Sequence, residues 1–241
     1  MPDKRKHRSS HPKDDELFAK SCLPVLRQAL DDMCWLLSRG YAQTGVLKLV
    51  GDRYSLVQRQ RTAIMRASCS DQQLLTRKHK KIDPYKTKVD SIAIDGFNVL
   101  ITIEAALSGG YLFRGRDGNL RDLASVHGTY RKVTETIPAL ELIGRAVQNI
   151  GIEHCLWYLD SPVSNSGRLK RIITELAAEH KRDWQVELSL NPDKLLKKAQ
   201  IPVASSDSVI LDNCGQWVNL SSLIILNYIP QTKIIDLSID C

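Results

Sequence analysis

From Leu17 onward, apolar residues recur at three- and four-residue spacing: Leu17, Phe18, Cys22, Val25, Leu26, Leu30, Met33, Leu36 and Leu37. That period predicts an amphipathic helix, capped by Asp14 or Asp15 and stopped near Gly40. A second stretch, 44–68, sets Leu47, Val50, Tyr54, Val57, Ile64 and Met65 towards one side. Arg53, Arg59, Arg61 and Arg66 fall mostly on the other, which predicts a second helix with a basic face able to meet phosphates or simply to be solvated. After the charged, Pro-containing segment 77–88 the pattern changes. Apolar runs at 89–94, 154–159, 184–190 and 201–204 predict strands, and they alternate with helical stretches at 139–149 (opened by Pro138), 167–180 and 192–199.

Strands joined by crossover helices of this length imply βαβ units, hence a parallel sheet with helices on both faces. The predicted organisation is a basic disordered tail at 1–16, a basic helical domain at 17–88 and an α/β domain at 89–241. The fold class is therefore α/β, preceded by a small all-α domain.

Charge sharpens this division. Residues 1–90 carry 19 Lys and Arg against 10 Asp and Glu, while 91–241 carry 15 against 17. A basic module joined to a slightly acidic one suits a polyanion-binding part attached to a part with another task, and nucleic acid is the expected polyanion. No apolar run approaches the length that spans a bilayer, and 220–229 is short and contains Ser221, Ser222 and Asn227, so no membrane partner is expected. The opening MPDKRKHRSSHPKDDE has no apolar segment of a secretory signal, which predicts a cytoplasmic protein. Six cysteines show neither a CxxC pair nor His at ligand spacing, which argues against a disulfide framework or structural zinc.

Ligands of an open α/β sheet bind beyond the carboxyl ends of its strands, so the residues that follow each strand carry the most information. Here they are carboxylates: SIAI runs into Asp95, HCLWYL into Asp160, and IPVASS into Asp207, with Asp212 five residues on. Any one such aspartate can be a helix cap or Asx-turn. Three gathered at one edge would repel unless a cation shared them, and a hard divalent ion, Mg²⁺ or Mn²⁺, meets that need.

Between the first strand and the Pro138 helix lies segment 108–133, where Arg114, Arg116, Arg121, Arg131 and Lys132 interleave with Tyr111, Phe113 and Tyr130. Basic groups on phosphates and aromatic rings on unpaired bases suit single-stranded RNA, so the segment is expected either as a lid over the acidic edge or as a hairpin packed on the core. His127 within it is an acid–base candidate or a turn hydrogen-bonder. Arg168, Lys170 and Arg171 open the helix after Asp160, against the usual dipole preference, as if arranged for phosphate. The Walker spacing GxxxxGK[ST] is absent, which weakens an NTPase reading.

IDGFNVL (94–100) resembles the opening motif of the NYN branch of the PIN-like metallonuclease superfamily, and VASSDSVILD (203–212) resembles that branch's late Ser-x-Asp segment. The carboxylate of LWYLDSP (156–162) falls in order between them. The whole also resembles a prokaryotic family in which a small helical N-terminal domain precedes this core. The resemblance implies a three-layer α/β/α fold and Mg²⁺- or Mn²⁺-dependent hydrolysis of phosphodiesters, usually in RNA. By position, Asp95, Asp160 and Asp207 would be metal ligands, and Asn98 would orient a ligand or the attacking water. Val209 stands where the branch often has a second aspartate, Asp212 is a substitute ligand, and Glu104 and Glu141 both qualify as an additional acid. Two rivals stand beside a ribonuclease: a non-catalytic RNA-binding protein with a degenerate site, and a phosphoryl-transfer enzyme acting on a small molecule. A homo-oligomer is compatible with all three.

Overall fold

The structure is a computed structural model that describes residues 7, 8, 11–124 and 128–238; His127 and Cys241 lie outside them. The helical part comprises α1 (Asp14–Leu17), a 3-10 turn (Lys20–Cys22), α2 (Leu23–Ser38), α3 (Gln43–Arg53), α4 (Gln58–Ala67) and α5 (Asp71–Lys80). In α2 the buried positions Leu26, Ala29, Leu30, Met33 and Cys34 follow the helical period, and the chain leaves the helix through Gly40 at φ +82°.

The two long helices expected here are each broken. The first is interrupted after Leu17, where Phe18 turns into the core and Pro24 restarts the helix in the first turn of α2. The second is interrupted between Arg53 and Gln58, where Ser55 adopts φ +50° and Leu56 is buried. The tail expected to be disordered to residue 16 is also corrected where it is described. Asp14 is buried and pairs with Arg59, and Arg8 reaches Glu104.

The α/β part follows with β1 (Ser91–Asp95), α6 (Gly96–Leu107), β2 (Tyr111–Arg114), β3 (Leu120–Arg121), α7 (Thr136–Asn149) and β4 (His154–Asp160). It continues with α8 (Ser166–Glu179), β5 (Asp183–Ser189), α9 (Pro192–Lys198), β6 (Val203–Ala204), α10 (Ser208–Asn213), β7 (Trp217–Val218), α11 (Leu220–Tyr228) and β8 (Lys233–Asp236). Five strands form a parallel sheet in the order β5-β4-β1-β6-β7. Alternation along β1 divides the core: Ile92 and Ile94 join the cluster of α6, α7, α8 and α11, whereas Ala93 joins that of α9 and α10. The fold is thus α/β with helices on both faces of a parallel sheet.

A second sheet, β3-β2-β8, comes from segment 108–133 and the far end of the described chain. Its Phe113, together with Leu123 and Leu237, is buried in the same cluster as Phe18, Leu26 and Leu30. Of the two expectations for this segment, lid or packed hairpin, its described residues take the second, a hairpin packed between the two parts. Arg77, 1% exposed, cements the same junction by pairing with Asp117 and Asp212, both at 2.6 Å.

A crevice at the carboxyl edge of the sheet

The chain runs from β1 to β4 and β5 in one direction, then returns past β1 to lay down β6 and β7. Strand order therefore reverses between β1 and β6, and the crevice beyond their carboxyl ends is the place where a doubly wound sheet binds ligands. A cavity of about 480 Å³ opens there. One wall is Phe97, Asn98 and Ile101 of α6 with Ser206, Asp207 and the start of α10, and the other is Gln43, Met65 and Arg66 of the helical part.

Asp95 ends β1, and Gly96 starts α6 immediately. A Cβ at Gly96 would lie 2.9 Å from the Tyr158 carbonyl oxygen, so only glycine lets α6 leave the strand this close to β4. The Ser205 hydroxyl donates to Asp95 Oδ2 at 2.7 Å, and Ser205 Oγ in turn accepts the Asp207 amide at 3.0 Å. Burial pushes the Asp95 carboxyl up to about 7 against the Ser205 hydrogen bond, and the charges of Asp207 and Asp193 add to the rise. Asp160, at the end of β4, is likewise raised by burial and then by Asp193.

Asp207 caps α10, accepting the amides of Val209 (2.7 Å) and Ile210 (3.2 Å). Asn98 lines the crevice with its Oδ1 committed to the amide (2.8 Å) and hydroxyl (3.0 Å) of Ser206. Asp193, in the first turn of α9, escaped the sequence reading because that reading stopped at the residue directly after each strand. Extending it to the first turn of the following helix would have found the N-P-D signal.

Four carboxylates thus share one edge electrostatically. Among the described residues, however, no three His, Cys, Asp or Glu side chains are gathered closely enough to chelate one ion as they stand. A hard cation needs only one or two carboxylates and fills its remaining positions with water or phosphate oxygens, and carboxylate oxygens are the donors that Asp95 and Asp207 would offer such an ion.

Other expected site residues lie elsewhere. Asp212 is engaged by Arg77 Nε at 2.6 Å and Gln73 Nε2 at 2.7 Å, which turns it towards α5 and away from the crevice. Glu104 sits nine residues along α6 from Asp95, a rise of about 13 Å, and is buried against Tyr130, Thr136 and Arg8. Glu141 acts on Arg182, which precedes β5 at the opposite edge of the sheet.

The expected RNA-binding set divides. Arg114 pairs with Asp236, and Arg116 with Asp71 and the Cys69 carbonyl. Arg121 is clamped on Asp117 and the Ser206 carbonyl, and with Arg77 it holds Asp117 well below the usual carboxylate range despite burial. Tyr130 is 1% exposed and packs on Phe97, so it is not a stacking platform. These four are engaged within the protein, Arg121 and Tyr130 on buried partners and Arg114 and Arg116 on the exposed carboxylates of Asp236 and Asp71. Arg131 is partly exposed and gives its carbonyl oxygen to Arg8, whereas Lys132, Arg168 and Lys170 face solvent. On the basic face of the helical part, Arg59, Arg61 and Arg66 are likewise paired, Arg59 and Arg66 with the buried Asp14 and Asp122 and Arg61 with the exposed Asp52.

Among the described residues no helix is long and apolar enough to cross a membrane. Residues 84–223 match the family described as a domain of unknown function, DUF5616, and residues 25–80 match the protein of unknown function DUF434. The chain is 35% identical over 188 residues to the uncharacterized protein MJ0935 of Methanocaldococcus jannaschii, covering 77% of this chain and 88% of that one. No solved structure matches. With more than half of its length matched, this chain belongs to the DUF5616 family.

Proposed function

We propose that this protein is a PIN-like, metal-dependent nuclease that hydrolyses phosphodiester bonds in RNA in the cytoplasm. The observation that carries the reading is the acidic carboxyl edge of the sheet, where Asp95, raised to about 7, lies in the field of Asp207 and Asp193, Asp160 lies in that of Asp193, and Asp207 lines the switch-point crevice beside them. Asp95 and Asp207 would hold Mg²⁺ or Mn²⁺, with Asp160 and Asp193 beside them. When bound, the ion supplies Lewis-acid polarisation of a phosphate and a water of lowered pKa.

The chain's own residues do the positioning. Ser205 fixes both the Asp95 carboxylate and the Asp207 backbone, and Asn98 ties α6 to the Ser206 loop. The crevice is in the size range that admits a small ligand or one nucleotide unit. Lys132, Arg168 and Lys170 offer exposed charge to a phosphate backbone.

The test is cleavage of end-labelled RNA with Mg²⁺ or Mn²⁺ against EDTA, using Asp95→Asn, Asp160→Asn and Asp207→Asn. Asparagine also caps helices, so Asp207→Asn keeps α10 while removing a charge. Loss of cleavage in folded variants supports the reading. An absence of metal-dependent cleavage in the parent, or parental rates in Asp95→Asn, overturns it. RNA binding without cleavage is the second reading, favoured by the loss of Asp212 to Arg77 and by Val209 standing where another carboxylate would complete the site.

A further inference from the structure

At the far half of α6, Glu104 is completely buried, and its Oε1 accepts the hydroxyls of Tyr130 and Thr136, each at 2.6 Å. The Thr136 hydroxyl is itself fixed by the Val133 amide at 3.0 Å. Those two donors are neutral. Among the described residues, the cation in ion-pair contact with Glu104 is Arg8, whose Nε donates to Oε2 at 2.8 Å. Its Nη2 diverges to the Arg131 carbonyl oxygen at 2.9 Å, and the guanidinium lies over the Tyr130 ring, 5.2 Å from its centroid.

Beside this socket is a second carboxylate. Glu135 is 7% exposed, holds His7 Nδ1 at 2.6 Å through Oε1, and leaves its buried Oε2 with no partner among the described residues. An ionised carboxylate removed from water is costly without a counter-charge, and the described residues of the α/β body bring none into ion-pair contact with Glu104. The acceptors are instead spread in the plane of a fork and floored by a ring. That geometry suits a guanidinium, whereas an ammonium is a single point of charge and cannot reach both acceptors from one axis.

We infer that Glu104, Glu135, Tyr130, Thr136 and the Arg131 carbonyl form a receptor for the arginine side chain of a peptide segment, and that this chain's own N-terminal segment, through Arg8, is its resident ligand. The receptor is independent of the nuclease reading, since it lies along α6 from the carboxylate crevice and uses none of its residues. Any partner that draws the basic segment away must leave Glu104 without its counter-charge, so capture of the segment and stability of the body are coupled.

Chemical rescue in the full-length chain tests this. Arg8→Ala is expected to lower the melting temperature by roughly 5 °C or more. Millimolar ethylguanidinium should recover at least half of that loss in Arg8→Ala and leave the parent unchanged, while ethylammonium at the same concentration does neither. Arg8→Lys, which keeps charge and loses the fork, should melt below the parent. Rescue should vanish when Glu104→Gln is added to Arg8→Ala. The inference is overturned if Arg8→Ala or Arg8→Lys melts with the parent, if both cations rescue equally or neither does, or if rescue survives Glu104→Gln.

Discussion

Replacing Asp95 by asparagine should make the protein more stable at neutral and alkaline pH. Burial raises this carboxyl from 3.8 to about 7 in the folded chain, with Asp207 and Asp193 adding to it. Folding therefore favours its protonated form. Its contribution is fully present below pH 3.8, is lost as pH climbs, and above about pH 7 the folded chain carries a charge that it would rather release. A rise of that size corresponds to about 4 kcal/mol. Asparagine keeps an oxygen for the Ser205 hydroxyl but loses one acceptor, at a cost of about 1 kcal/mol. The net gain near pH 8 is about 3 kcal/mol, or roughly 6–12 °C in melting temperature for a chain of this length. Thermal melts of parent and Asp95→Asn in EDTA from about pH 4 to pH 8.5 should show curves that converge in acid and separate in base. Mg²⁺ or Mn²⁺ should then stabilise the parent and leave Asp95→Asn where it was. A variant no more stable than the parent near pH 8, or a difference independent of pH, would refute the reasoning.

Asp212→Asn should cost about 1–3 kcal/mol in urea denaturation, because the buried Arg77 loses one of its two carboxylate partners, and should leave any RNA cleavage rate unchanged. Cleavage lost at parental stability would return Asp212 to the site. Tyr130→Phe removes a donor from buried Glu104 and should lower stability by about 1–3 kcal/mol with RNA affinity intact. Weaker RNA binding at an unchanged melting temperature would instead assign the Tyr130 hydroxyl to the nucleic acid. Changing Lys132, Arg168 and Lys170 together to alanine should weaken single-stranded RNA binding and reduce the slope of log affinity against log salt by about 2, read from titrations at several ionic strengths. An unchanged slope would show that the phosphate backbone runs elsewhere.

Strands β1, β4 and β5 and helices α7, α8 and α9 were legible because each has a local period and a local boundary, such as Pro138 or the Asn191–Pro192 start of α9. Helix α6 was not. GFNVLITIEAAL is apolar on nearly every side, since ten of its twelve residues are buried, so no amphipathic stripe marks it. Of the two-residue strands, β6 falls within the expected strand 201–204, whereas β3 and β7 have no apolar period of their own and are set by pairing with β2 and β6. The carboxylates at strand ends were legible for the same reason as the strands. The fate of the arginines was not, because charge in a sequence carries no partner. Arg77 meets Asp212 across 135 residues and Asp117 across 40, and Arg116, Arg121 and Tyr130 are likewise spent on partners that only the folded chain brings near.

The sharing of Phe113, Leu123 and Leu237 with the helical cluster bears on synthesis. Strand β8 pairs in parallel with β2, and its neighbour Leu237 fills the interior built around Phe18 and Leu30, so the first-made helices cannot close their own interior. On a ribosome they would emerge early and wait, with an apolar face open, until almost the whole described chain had been translated. Such a nascent chain is exposed to aggregation for most of its elongation. The two family segments at 25–80 and 84–223, consecutive in the gene product, would then mature together as one late-closing unit.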